Sequence, residues 1–337
     1  MKKWNIQYLL LLIFLLLFNS LLFAQGKYTL STMPRIDVHA HIGDLKKMAG
    51  YMEVRKLVKE QFNANLEMWI DLSSPIHPGM KGLEFLKEAE EKFQGRFLPT
   101  INDYQIADGL RYPPEEFPEW LNRGVVGYKI WVGVSPAVDH PANDPTFTKM
   151  EQIGMVGASV HISQPYPRNC KDPIDFWESI NAWERVLDRH PKMVVVNAHL
   201  MDLFYSDEQL EYLQYFLETY PNVYIDTAAR FKDFYSMTHE KIRDFFIKYS
   251  DRILFGTDTM SPTSKDGSYK SVVEGYIRVF EAMETDKVLP GGFSSLTHEI
   301  QGIALPMDVL EKIYFRNTVK LYPRVKNVLK KLGYNIE

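Results

Sequence analysis

Eight short apolar runs, each followed by a longer segment of helical periodicity, predict one distorted (β/α)8 barrel domain in the α/β class. Two observations support this reading. Several runs are almost continuously apolar, as parallel strands buried on both faces are. The chemistry-bearing side chains collect at the C-terminal ends of the runs, where such barrels keep their active sites. In chain order the runs fall at 35–42, 65–72, 96–101, 125–132, 158–162, 193–199, 223–228 and 253–257. The sixth (Met193-Val-Val-Val-Asn-Ala-His199) and the eighth (Arg252-Ile-Leu-Phe255 at its start) show the apolar character most clearly. Between the sixth and seventh, residues 207–220 place Leu210, Leu213, Phe216 and Leu217 on one helical face, and Pro221 ends the segment. Residues 174–189 and 268–283 read the same way. The longest irregular stretches, 103–123 and 136–150, follow strand ends. No internal repeat, low-complexity tract or linker divides the chain, so residues 25–337 are expected to form a single domain.

The remaining residues, 1–24, differ in composition. Lys2 and Lys3 precede an unbroken apolar run at 9–18, Asn19 and Ser20 interrupt it, and Ala24-Gln25 offers a cleavage point. This is the pattern of a secretory signal peptide. The run is short for a membrane span, which needs about 20 residues. An uncleaved N-terminal anchor is the alternative. The expectation is export to a periplasmic or extracellular location, with no stable membrane insertion after cleavage. The 337 residues carry 39 Lys+Arg against 43 Asp+Glu, a net charge of -4, which gives no electrostatic footprint for nucleic acid. One cysteine, Cys170, excludes an intrachain disulfide and any zinc finger or iron–sulfur centre built by this chain alone.

The first run carries Asp37-Val-His39-Ala-His41. Strand side chains alternate faces, so His39 and His41 point the same way and can chelate one divalent cation. His161 lies at the end of the fifth run, His199 closes the sixth and Asp258 follows the eighth. Neutral imidazole and carboxylate suit zinc, manganese or iron. A water acidified by such an ion needs a proton acceptor, the natural role for Asp258. Lys129 sits in the otherwise apolar fourth run, where an unpartnered ammonium is costly. Three roles are open to it: pairing with a carboxylate, binding an anionic substrate group, or ligating metal as a carbamate, which would allow a second ion. Arg230, just past the seventh run, is either a clamp for a substrate carboxylate or one half of a surface ion pair. Asp37 is either an orienting partner for a histidine or a structural group of the barrel floor.

Together, His39-x-His41 on the first strand, His161, His199 and Asp258 resemble the ordered motif set of the amidohydrolase superfamily, in its amidohydrolase-related (amidohydrolase 2) branch. The similarity extends from about Pro34 to Val325. It includes Gly127-Tyr-Lys-Ile-Trp131, Pro221-Asn-Val-Tyr-Ile-Asp226, Arg252-Ile-Leu-Phe-Gly-Thr-Asp258 and Glu311-Lys-Ile-Tyr-Phe-Arg-Asn317. The resemblance implies that His39, His41 and Asp258 hold a metal, often with His161. It implies that His199 is a second-metal ligand or a substrate-facing acid or electrophile. The motif set is specific for the superfamily and weakly specific for the reaction, since the branch also contains decarboxylases, hydratases and lactonases.

The expected function is that of a secreted metal-dependent hydrolase. It would use one or two divalent ions, zinc first and manganese or iron as alternatives, to cleave an amide, lactone or related ester of a small molecule. In that reading Asp258 moves the proton and His199 helps to stabilise the oxyanion. A nonhydrolytic lyase, a decarboxylase or hydratase on the same site, is the runner-up, with Lys129 and Arg230 as carboxylate-binding cations. A noncatalytic binding barrel is the third reading, and the full ligand set argues against it. No Gly-x-Ser-x-Gly elbow or Gly-rich phosphate loop is present. Assembly as a homo-oligomer is open.

Overall fold

The computed structural model describes residues 28–102, 112–131, 137–162, 167, 170–259, 269–291 and 298–336. The expected signal peptide at 1–24 lies outside the described residues. The strands are β1 (Pro34–Ala40), β2 (Asn65–Asp71), β3 (Phe97–Pro99), β4 (Ile101–Asn102), β5 (Gly127–Trp131), β6 (Val156–His161), β7 (Val195–Asn197), β8 (Val223–Asp226) and β9 (Ile253–Leu254). All neighbouring pairs are parallel, β1-β2-β3 forming one sheet and β4 through β9 the other.

Only Thr100 separates β3 from β4. Its hydroxyl donates to the Asp71 carbonyl at 2.9 Å, so the two segments form one strand with a single interruption. At the other edge, Val38 N donates to Phe255 O at 2.9 Å and Asp258 N to His39 O at 2.8 Å, bringing β1 beside the chain that follows β9. The result is an α/β fold with parallel sheets, consistent with a (β/α)8 barrel. Every residue of β1 and β6 is buried, and every residue of β2 but Asn65, so the polar side chains on these strands must find partners inside the protein.

The expected helices are present. Pro173–Arg189 is capped by the Asp172 carboxylate, which accepts from Ile174 N at 2.8 Å, and it buries Phe176, Ile180, Trp183, Val186 and Leu187. Asp207–Thr219 is capped by Ser206, and Lys270–Glu284 buries Val273, Tyr276, Phe280 and Met283. Three details differ from expectation. The sixth strand stops at Asn197, because His199, Leu200, Met201 and Asp202 take left-handed φ values of 60°, 51°, 60° and 55°. The eighth is only Ile253–Leu254. A short antiparallel pair, β10 (Val288–Leu289) with β11 (Ile300–Gln301), has too few residues to leave a periodic signal.

Buried charge ties down the start of the barrel strands. Arg35 meets Glu284 at 2.6 Å, and Tyr314 donates to the same carboxylate. Glu67 receives Arg55 at 2.9 and 3.0 Å, Tyr334 at 2.9 Å, and Arg96. Burial alone would raise the Glu67 carboxyl; the two guanidinium groups outweigh it and hold it below its ordinary 4.5. A carboxyl depressed on folding contributes stability above its unfolded value and loses it as pH falls below. Glu67→Gln should therefore lower unfolding free energy by roughly 3 kcal/mol near neutral pH. Urea denaturation of both proteins at several pH values should show the gap closing below 4.5.

Candidate metal centre

His39 and His41 alternate with buried Val38 and Ala40 at the end of β1, so both rings face one side of the strand. Asp258 reaches them from the turn after β9, where φ is 63°, a conformation that aspartate tolerates better than most residues. One carboxylate oxygen of Asp258 lies 3.5 Å from His39 Nε2 and 3.4 Å from His41 Nε2. Close approach of the backbone is built in at Gly256, where a Cβ would stand 2.9 Å from the His39 Cβ.

The tautomers follow from the partners. His39 Nδ1 lies 2.8 Å from Asp226 Oδ2, and a carboxylate only accepts, so Nδ1 carries the proton. Nε2 then holds a lone pair, and this buried atom has no hydrogen-bond partner among the described residues. A buried imidazole lone pair aimed at a second imidazole and a carboxylate fits a divalent cation. The potential ligand atoms of His39, His41 and Asp258 all lie within 4.8 Å of one another. His39, His199 and Asp226 form a second such group, although Asp226 Oδ2 is already engaged by His39 Nδ1. His41 Nδ1 is fixed by the Ser73 hydroxyl at 2.8 Å. Burial opposes charge on Asp258, but His41, His39 and His199 prevail and hold its carboxyl well below the usual range.

His199 lies beside this group, its ring 4.8 Å from that of His39. Its backbone N–H donates to Asp226 Oδ1 at 2.9 Å, and its Nδ1 lies 3.0 Å from the Ala228 carbonyl. A carbonyl accepts only, so Nδ1–H donates and Nε2 holds the lone pair. Burial, with His39 and His161 alongside, keeps the imidazole well below its ordinary range and therefore neutral. Neutral His199 thus offers Nε2 as a ligand or proton acceptor.

The remaining expected residues surround the group. His161 ends β6, packs its ring 3.9 Å from that of Trp131, and directs Nε2 toward Asp202 Oδ2 at 3.6 Å. Lys129 on β5 is buried and donates to Ser159 Oγ at 2.9 Å. Burial pushes its ammonium down to about 8, although Asp226, Asp258 and Asp202 pull the other way. Arg230 is buried rather than on the surface, between Asp202 at 3.6 Å and Asp233 at 3.4 Å, and donates to the Tyr205 hydroxyl. Asp37 serves the backbone: it accepts from His39 N at 3.0 Å and Thr257 N at 3.1 Å, and from Tyr276 OH at 2.6 Å. Burial pushes its carboxyl up to about 6 against these bonds.

Sequence reasoning missed Asp226, Asp202, Ser73 and Asp71. Asp71 accepts from Ile42 N, Gly43 N and Ser73 N at 2.9–3.1 Å and so fixes the loop after β1. The one available signal was a carboxylate at the end of an apolar strand, as at Asp71 and Asp226.

A family model described as Amidohydrolase matches residues 36–324. No curated protein matches the chain. Among solved structures, the chain is similar to an uncharacterized TIM-barrel protein from Bordetella bronchiseptica. That match has 14% identity and a TM-score of 0.52, over 87% of this chain and 100% of the other. It is similar to a 2,6-dihydroxybenzoate decarboxylase complexed with 2,6-dihydroxybenzoate, at 14% identity and TM-score 0.51, over 86% and 99%. It is also similar to a 5-carboxyvanillate decarboxylase from Novosphingobium aromaticivorans complexed with manganese and a nitrobenzoic acid, at 13% identity and TM-score 0.51, over 87% and 97%. At these identities the likeness is one of fold.

Asp226→Asn keeps the size of the side chain but weakens its hold on the His39 Nδ1 proton. Affinity for zinc, measured by calorimetry, should fall about 10- to 100-fold while the circular dichroism spectrum is unchanged.

Proposed function

The chain belongs to the amidohydrolase family, and from that premise we propose that it is a metal-dependent hydrolase of small molecules on a (β/α)8 barrel. The bond cleaved is an amide, lactone or related ester. The observation that carries the reading is the orphaned, buried lone pair of His39 Nε2 facing His41 Nε2 and the Asp258 carboxylate.

His39, His41 and Asp258 would hold the ion, with His161 beside them, and Lys129 is close enough electrostatically to Asp258 to bear on the site. A divalent ion there, zinc first and manganese or iron as alternatives, supplies the charge that acidifies a water near neutral pH and polarises a carbonyl. Asp258 stays ionised, so it is always in the form that accepts the water's proton and can pass it to the leaving group. His199 Nε2 offers a second acceptor on the same side. The Trp131 ring against His161 helps to keep that wall of the site dry, and desolvation strengthens each of these interactions. Export of the chain through its N-terminal segment belongs to the same proposal. No helix among the described residues is long and apolar enough to cross a membrane.

Lyase chemistry is the second reading, and Lys129, a buried cation bonded to Ser159 Oγ at 2.9 Å, supports it as a candidate holder of a substrate carboxylate. Arg230 contributes less to it, because Asp202 and Asp233 already face its guanidinium group.

The two readings separate in 18O-labelled water. A panel of amides, lactones and aromatic acids is incubated with the metal-loaded protein. Hydrolysis puts one 18O into the product acid; release of CO2 with no 18O in the remaining product, or 18O found only in a new hydroxyl, overturns the hydrolase reading. For the substrate so found, Asp258→Asn should lower kcat by at least about 100-fold with a much smaller change in KM. A near-normal kcat would remove Asp258 from the proton path.

A further inference from the structure

The turn that aims His199 into the site ends three residues later at Asp202, and all four residues from 199 to 202 are left-handed. Non-glycine residues adopt that conformation only under restraint. Leu200 and Met201 are fully buried, and their packing holds the turn in place. One strained turn therefore delivers two polar side chains, His199 at its start and Asp202 at its end.

Asp202 is almost completely buried. A carboxylate there needs cationic or donor partners. Its Oδ1 lies 3.6 Å from the Arg230 guanidinium, and its Oδ2 lies 3.6 Å from His161 Nε2. Oδ2 has no hydrogen-bond partner among the described residues, and the His161 ring nitrogen faces it across 3.6 Å. Arg230 is itself held from three sides: Asp202, Asp233 at 3.4 Å, and Tyr205, whose hydroxyl it meets and whose ring it overlies at 5.0 Å. The rings of Trp131 at 3.9 Å and His199 at 4.8 Å flank the His161 imidazole.

We infer that Asp202 is a positioning residue that holds His161 in its Nε2–H tautomer, and that Arg230 acts on the site through Asp202 rather than on substrate. A carboxylate accepts and does not donate, so the imidazole nitrogen facing it carries the proton. Nδ1 of His161 then holds the lone pair and is the ring atom available to an ion or to a substrate proton. Asp202 and Asp233 both face Arg230, and the guanidinium serves to hold Asp202 in place. The inference rests on the proposed function only in counting His161 as part of the site.

The test reads the tautomer directly, without metal or substrate. The full chain, 15N-labelled at histidine and stripped of metal, is examined by long-range 1H–15N spectra at about pH 8, where imidazole is neutral. The His161 signals are identified by their loss in His161→Gln. The expected wild-type pattern is a single Nε2–H tautomer. Asp202→Gly keeps the left-handed backbone at no steric cost and removes the acceptor. It should bring in the Nδ1–H pattern, and Arg230→Met should move the spectrum the same way without touching His161. A wild-type His161 in the Nδ1–H form overturns the inference whether or not the variants fold. So does an unchanged tautomer in a folded Asp202→Gly protein. Because no turnover is measured, failure here leaves the hydrolase reading standing, and failure of that reading leaves the tautomer standing.

Discussion

A hydrogen bond of 2.8 Å, from His39 Nδ1 to Asp226 Oδ2, sets the chemistry of the surrounding pocket. Both groups are fully buried, so neither can exchange its partner for water. With Nδ1 committed, Nε2 of His39 is left as a lone pair facing His41 and Asp258. The other oxygen of Asp226 accepts from the backbone of His199 and of Ala228, at 2.9 and 3.0 Å. One carboxylate thus orients a ring on the first strand and the backbone after the sixth. Remove its charge and the pocket keeps its shape but loses the polarity that suits it to a cation.

The backbone bears part of the cost of this arrangement. Asp258 and residues 199–202 all sit at positive φ, and Gly256 leaves no room for a side chain beside His39. Strain of this kind persists only where surrounding structure over-determines it. Here the restraint comes from buried Leu200 and Met201, and from the bond between Asp258 N and the His39 carbonyl. The charge clusters around Glu67 and Glu284 lie at the start of the strands, away from the chemistry, and anchor the scaffold that carries it.

Much of this was legible in the sequence. The runs showed because strands buried on both faces leave nearly continuous apolar stretches, and the sixth, with Val195 and Val196 fully buried, is the clearest case. His39, His41, His161, His199 and Asp258 stood out as polar side chains at strand ends. The expected end of the sixth strand ran two residues too far, because Ala198 continues its apolar character and no glycine marks the left-handed turn that begins at His199. Asp226 and Asp202 escaped notice for another reason. A lone aspartate after a strand reads as a turn or cap, and its partner can be remote: His39 and Asp226 are 187 positions apart. Arg230 was visible as a cation near the mouth, but only the fold brings Asp202 and Asp233 against it.

The central claim is that His39, His41 and Asp258 form a cation site, and metal content tests it most directly. Elemental analysis of the purified protein, beside a His39→Ala/His41→Ala double variant, should find about one or two equivalents of zinc, manganese or iron in the first and none in the second. A wild-type protein that takes up no ion after reloading with each of the three would contradict the account. So would a double variant that retains the full complement.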